Sequence, residues 1–589
     1  MNTDPRAMFT TLKALPEQPE YDLVVVGSGA AGLSAAVFAA IEGRSVLVIE
    51  RTDHVGGTSA LSAATTWIPN SMHAEKVATG DSLEKAARFL DRVVGNRTSS
   101  RLRDAFLRAG PEAIATLESR TDVHFRPYAT HPDYESDVEG STLRGRALEP
   151  VPFDGRQLGA DIDRIRPPIP EFTLFGGMMI DRTDIGHLLN LRKSWTSFRH
   201  AAGIIGRYGL DRLHGQRGTR LVMGNALIGS LLLTLKKHGG TVLTTCSADE
   251  LLTGPEGVAG VAAVQGDIRR RIKARLGVVL AAGGYNRHPQ RRGEMLNAPV
   301  PSLSPAAPGH TGAMQDLALK LGAHFGESNL DNAYWAPVST RKRPDGTAAV
   351  FPHFVLDRSK PGTVCVDQSG RRFVNESTSY HLFSRAMFEA NRSRPTIPCW
   401  IITDAEGLRR YGLGMVRMGT KNLQPFLADS YLVQGATIAE LAGKIGADPA
   451  ALSETIAHMN EYARTGVDPE FGRGTTDYHR VNGDASRGFP NPTLGPIATA
   501  PFYAVKLTPG DIGAATGLVI DEDAQVLGEG DRPIGRLYAC GNEANSIMGG
   551  TYPGPGITIG PAITFAFRAV RHALGNNMSS RASAPEHAA

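Results

Sequence analysis

The chain has 589 residues, enough to bury a large core and to form two or more domains. Its 63 Lys and Arg nearly balance 59 Asp and Glu, which argues against a nucleic-acid face; four widely spaced cysteines (Cys246, Cys365, Cys399, Cys540) without a CxxC pair suggest neither a disulfide framework nor a metal cage. The opening MNTDPRAMFTTLKALPEQPE lacks the basic-then-apolar order of a secretory signal and no apolar run reaches membrane-span length, so a cytoplasmic location is expected.

The first elements are the most telling. YDLVVV predicts a strand, followed by the turn Gly27-Ser28-Gly29-Ala30-Ala31-Gly32, an alanine-rich helix and a second strand closing on Glu50. Gly27 permits the tight turn, Gly29 lets the backbone approach a pyrophosphate, and Gly32 lets helix pack on strand. The helix N-terminus offers unpaired N–H groups to phosphates, and Glu50 would take the adenosine ribose hydroxyls. Strand, turn, helix, strand and terminal acid in this order specify dinucleotide binding far better than the glycines alone.

Strand and helix signals alternate from about residue 18 to 296, and the strand LGVVLAAGGY ends in small residues suited to passing beneath a dinucleotide. Arg269-Arg270-Arg271 with Lys273 and Arg275 reads as a solvated hairpin. Leu188, Leu191, Trp195 and Phe198 fall at helical spacing among Arg192, Lys193, Arg199 and His200. A core-facing helix is the favoured reading there, and peripheral contact with a membrane that collects lipophilic substrate is the alternative. Between 297 and 505 the pattern loosens into proline-rich turns, the strand-like TVCVD before Gly370, and helical runs from Thr437 to Gly466. In that region Trp335, Trp400, Phe351 and Phe354 line an apolar slot or simply pack, and His310, His353 and His381 read as surface or satisfied core residues. From 506 to 575 the α/β punctuation returns with LYACG, Asn542 and a final helix start, and 576–589 is expected to be disordered. The fold class is therefore α/β: a discontinuous Rossmann-like dinucleotide domain (18–296 and 506–575) with an inserted α+β catalytic or substrate domain (297–505).

That discontinuous layout, with Gly56-Gly57-Thr58-Ser59-Ala60-Leu61-Ser62, Arg372-Phe373-Val374-Asn375-Glu376-Ser377 and the closing TYPGPGITIG, resembles the flavoproteins related to fumarate reductase. Among them it is most similar to the 3-ketosteroid Δ1-dehydrogenases. The resemblance implies FAD, held noncovalently because the loop after Gly57 has no histidine for attachment. It carries cofactor contacts onto Gly27, Gly29, Ala30, Ala31 and Gly32, then Glu50, Arg51, Gly57, Thr58, Ser59 and Ser62. Further contacts fall on Ala248, Ala282, Gly283, Gly541, Asn542, Ile557, Thr558 and Ile559. Dicarboxylate reductases of this superfamily carry a histidine in an HTMGG-like motif; the matching stretch Gly510 to Leu518 has none and fits an LGTxGGL-like pattern, departing from it at Ala514 to Thr516.

The activity implied is 1,2-desaturation of a 3-ketosteroid, in steroid catabolism. Tyr552, with the N–H of Gly556, would hold the C3 carbonyl; Tyr380 would remove the C2 proton, assisted by Tyr134; the C1 hydride would pass to flavin N5. A free phenol has a pKa of about 10, so such a base needs help from a partner. Implied partners are a small lipophilic ketone and an external electron acceptor such as a quinone, with no nucleic acid. Alternatives are a Δ4-(5α)-dehydrogenase, whose motif has serine where Gly554 stands, a reductase of an unsaturated acid, and a flavin-binding redox protein without turnover.

Overall fold

The computed structural model describes residues 8–77, 80–215, 217–355 and 357–575. The tail expected to be disordered, 576–589, lies outside the described residues.

A parallel core runs through the first sheet in the order Thr241–Leu243, Val46–Ile49, Glu20–Val26, Ile268–Leu280 and Arg532–Ala539. Leu23 to Val26 and Val46 to Ile49 are buried throughout, as strands covered on both faces must be. Phe9–Thr10 joins one edge, and Gly257–Gln265 and Ser247–Gly254 extend the first half of Ile268–Leu280 as antiparallel strands. The basic run lies in the first half of Ile268–Leu280 itself, with Arg269, Arg271, Lys273 and Arg275 exposed and Arg269 paired with Asp249 and Glu250. The helix Ala30–Ile41 lies close on the first strand because Gly32 has no side chain: a Cβ there would stand 1.9 Å from the Gly27 carbonyl oxygen.

The second sheet is antiparallel, in the order Ala348–Pro352, Ala333–Lys342, Phe502–Ala514, Cys399–Asp404 and Thr363–Val366, with Leu432–Gly435 also on Phe502–Ala514. A third, small sheet of Thr66–Trp67, Ala147–Pro150 and Phe125–Pro127 frames the loop that carries Tyr134. The last helix, Ile559–Ala573, begins against this sheet, with Gly560 admitting the Trp67 carbonyl.

One expectation fails. Leu188 to Phe198 is not one core-facing helix but the end of Arg182–Leu189 and the start of Trp195–His214. The second helix buries Ser197, Ala201 and Tyr208, so its opposite face turns outward, leaving Trp195 76 % exposed and Leu213 77 % exposed. Periodicity showed a helix with two unlike faces; it did not show which of them the core would take. No helix among the described residues is long and apolar enough to cross a membrane.

Candidate active site

The parallel strands of the first sheet end at one cavity of about 380 Å³, lined by Val26, Ile49, Ala281 and Gly541 where they finish. This is where the fold class places ligands. Gly27 turns there with φ +108°, and a Cβ on it would meet the Ala281 carbonyl oxygen at 2.2 Å. Gly29 caps the following helix without a side chain, so the first turn keeps free N–H capacity beyond Ala30, which donates to Ser59 Oγ at 3.1 Å. Gly57, Gly283 and Gly541 also hold positive φ along the wall. An acidic strand end, a bare helix N-terminus and a run of glycines form a cradle that fits a dinucleotide.

Every cofactor position named above lines the cavity except Gly32 and Ile557. Gly32 serves the helix packing, and Ile557 is buried in the core. Glu50 faces the cavity with both oxygens engaged: Ser28 donates its N–H (3.2 Å) and hydroxyl (2.5 Å) to one, Thr52 its N–H (2.8 Å) and hydroxyl (2.7 Å) to the other. A ribose hydroxyl would share or displace one of these donors. His310 departs from its expected role. It is buried against Gly283, bonds Thr58 Oγ1 through Nε2 at 3.2 Å, and leaves Nδ1 without a partner among the described residues. Burial lowers its pKa to about 4, so it is a neutral ring on the cavity wall. His353, by contrast, is a satisfied core residue between Asp357 and Ser339.

At the other end the three named tyrosines meet. The Tyr134 hydroxyl donates to the Tyr380 hydroxyl oxygen at 3.1 Å, Tyr134 stacks on Tyr552 at 5.6 Å, and Tyr380 meets Tyr552 edge-on at 5.2 Å. Tyr334 also stands edge-on to Tyr552, while Tyr478 tilts against Tyr134 and Phe354 closes on Tyr380. The Gly556 N–H has no partner among the described residues, and its φ of +91° brings it within a would-be Cβ contact of Thr65. Burial pushes Tyr134 and Tyr380 well above the ordinary phenol value and raises Tyr552 as well.

Each phenol is fixed from behind. The Tyr134 amide donates to the Pro553 carbonyl at 2.8 Å, and Asp133 beside it accepts from Trp67 Nε1 and pairs with Arg146, itself bound to Asp81. Tyr380 opens the helix Tyr380–Asn391, capped by Ser379. Four residues earlier, Glu376 is held by Arg372 at 2.9 Å and Arg473 at 3.1 Å, with Asp468 on Arg372. The RRFVNES segment is thus an ion knot that seats Tyr380 rather than a contact surface.

Tyr334, Tyr478, His131, Arg182 and Glu543 were not singled out in the sequence, since nothing local distinguishes them. Of the aromatic slot residues only Phe354 lines the cavity; Trp335 packs on Phe388 in the core. Where the dicarboxylate reductases carry histidine, Ile512 and Gly513 line the wall. Glu543 is buried beneath the glycine turn, accepting from the Gly284 N–H at 3.1 Å, and burial raises its pKa to about 7.

The FAD binding domain family matches residues 22–559. The chain is 35 % identical to 4-oxocyclohex-2-ene-1-carboxylate 5-dehydrogenase of Sinomonas cyclohexanicum, over 96 % of this chain and 95 % of that one. It is 34 % identical to 3-oxosteroid 1-dehydrogenase of Mycolicibacterium smegmatis, over 95 % and 98 % of the two chains. The solved 3-ketosteroid Δ1-dehydrogenase of Sterolibacterium denitrificans, in complex with 1,4-androstadiene-3,17-dione, superposes with a TM-score of 0.88 at 33 % identity, covering 95 % of this chain and all of that one.

Glu543 yields a pH prediction. Its folded pKa of about 7 lies above the ordinary carboxyl value of 4.5, so its burial costs nothing below the lower value and destabilises progressively as pH rises between the two. Glu543→Gln, which keeps the acceptor for Gly284, should therefore raise the melting temperature relative to wild type more at pH ~8 than at pH ~5. An equal shift at both, read by thermal denaturation, contradicts it.

Proposed function

The chain belongs to the FAD binding domain family, in its 3-oxosteroid 1-dehydrogenase branch, and we propose that it desaturates a ring ketone next to the carbonyl, a 3-ketosteroid in the first reading. The observation that carries this is the meeting of Tyr134, Tyr380 and Tyr552 in one buried cluster at the end of the dinucleotide cavity. Bound FAD, held without a covalent bond, supplies the hydride acceptor. The first sheet serves the cofactor and the second closes over the ketone, which is the reason to divide the chain near residue 297 and, because the strand Phe502–Ala514 belongs to the second sheet, after 514 rather than at 505.

In this reading Tyr552 and the free Gly556 N–H grip the carbonyl oxygen. As the neighbouring carbon loses its proton, charge gathers on that oxygen and both donors bind it more strongly. Tyr380 takes the proton in its ionised form, accepting a hydrogen bond from Tyr134 that favours the anion. Only one phenol of the cluster ionises, because two such charges a ring apart in a buried space repel. The aromatic walls exclude water, which strengthens each of these interactions.

A second substrate reading, a one-ring keto acid, is supported by the likeness to the oxocyclohexenecarboxylate dehydrogenase. A peripheral seat on an anionic lipid surface is supported by the outward face of Trp195–His214. Trp195 and Phe198 stack there at 5.3 Å, Leu213 is exposed on the same helix, and Arg192, Lys193 and Arg199 flank the aromatic pair in sequence; Leu189 and Phe175 are exposed as well. Such a seat would bring reduced protein to a lipid-soluble quinone as external electron acceptor.

Tyr552→Phe should lower kcat by about 100- to 1000-fold with flavin content unchanged, the product being checked by mass spectrometry and NMR for a double bond beside the carbonyl; unchanged turnover overturns the assignment. Because burial raises the phenols, kcat/KM should still be climbing at pH ~9, with Tyr380→Phe flattening the profile. A plateau near neutrality contradicts a tyrosine base. Wild type should sediment with vesicles containing phosphatidylserine and lose that association on Trp195→Ser with Phe198→Ser; equal sedimentation of both proteins removes the lipid seat.

A further inference from the structure

Resting on the ring-ketone reading, we infer that the cavity has a second pole, Arg182 with His131, that takes a carboxylate, so that the preferred substrate is a compact ring ketone bearing an acid across the ring from its carbonyl. Arg182 is the first residue of the helix Arg182–Leu189, fixed by the capping box of Asp181 and Asp184. Its guanidinium lies over the Tyr128 ring at 5.3 Å and lines the cavity.

The arginines around it are all engaged. Arg126 pairs with Glu149 and Asp181, and Arg220 pairs with Asp184. Arg182 is exposed where it lines the cavity and has no hydrogen bond or ion pair among the described residues, although acids stand on its own helix. His131 meets the Tyr128 ring edge-on at 5.0 Å and lines the same wall, and its ring nitrogens also lack partners among the described residues. Burial and the Arg182 charge hold it neutral, with a pKa of about 3. A neutral imidazole N–H beside an unpaired guanidinium matches the two oxygens of a carboxylate. A purely apolar substrate would cover a cation with nothing to balance it.

Tyr134 stacks on Tyr552 at 5.6 Å and tilts against His131 at 6.4 Å, so its ring links the carbonyl-gripping phenol to the imidazole. The one-ring form of the substrate rests on the second reading above.

The test is steady-state turnover by the holoenzyme of 4-oxocyclohexanecarboxylate against its uncharged amide, and of a 3-oxosteroid with a carboxylated side chain against a neutral 3-oxosteroid. Wild type should favour the small acid over its amide by about 10- to 100-fold in kcat/KM, mostly through KM, and show no such preference in the steroid pair. Arg182→Gln should remove the preference and Arg182→Lys retain part of it, with flavin absorbance reporting that each variant holds cofactor. Equal use of acid and amide by wild type, survival of the preference in Arg182→Gln, or an Arg182-dependent preference confined to the steroid pair overturns the inference. Turnover of neutral ketones with no acid preference sinks this inference alone, whereas failure of every ketone sinks the desaturation reading beneath it.

Discussion

The hydrogen bond from the Tyr134 amide to the Pro553 carbonyl joins a loop of the N-terminal region to the glycine turn near the C-terminus, and the rest of the site depends on that join. It places the Tyr134 ring flat on Tyr552 and within reach of Tyr380, which arrives from the second sheet's side of the molecule. Three phenols from three distant stretches thus share one buried space. Burial raises their pKa values and at the same time makes any hydrogen bond to a substrate oxygen worth more than it would be in water.

Such a cluster needs rigid support, and the chain provides it with buried charge. Asp133 between Trp67 and Arg146, and Glu376 between Arg372 and Arg473, are both fully buried and multiply bonded. Networks of this kind add little net stability compared with an apolar core, but losing one partner strands a charge and costs about 3–5 kcal/mol, so the surrounding geometry is strongly specified. A phenol displaced by an ångström would lose its alignment with the reacting carbon.

The parts legible in the sequence are those whose chemistry is local. The GSGAAG turn dictates its own backbone, because Gly27 and Gly32 fill positions where a Cβ would strike carbonyl oxygens at 2.2 and 1.9 Å. The tyrosines were legible only through their likeness to a family, since a tyrosine has no local signature. His131, Arg182, Tyr334 and Tyr478 gain their meaning from neighbours far along the chain, which no spacing rule reveals. His310 looked like a scattered histidine and lies instead on the cavity wall with Nδ1 unpartnered among the described residues. The helix at Trp195 shows the opposite limit: its two faces were visible, yet Ser197, Ala201 and Tyr208 rather than Trp195 and Phe198 went inside.

The central claim is that the tyrosine cluster withdraws a proton beside a carbonyl gripped over bound flavin. It is tested most directly by mixing the yellow holoprotein with a panel of ring ketones without oxygen and following the oxidised-flavin absorbance. Rapid bleaching with a ketone that has hydrogens on the two adjacent ring carbons, and none when those carbons already share a double bond, is the predicted result. A spectrum that stays yellow with every ketone, or bleaches equally with the unsaturated product, would contradict the account.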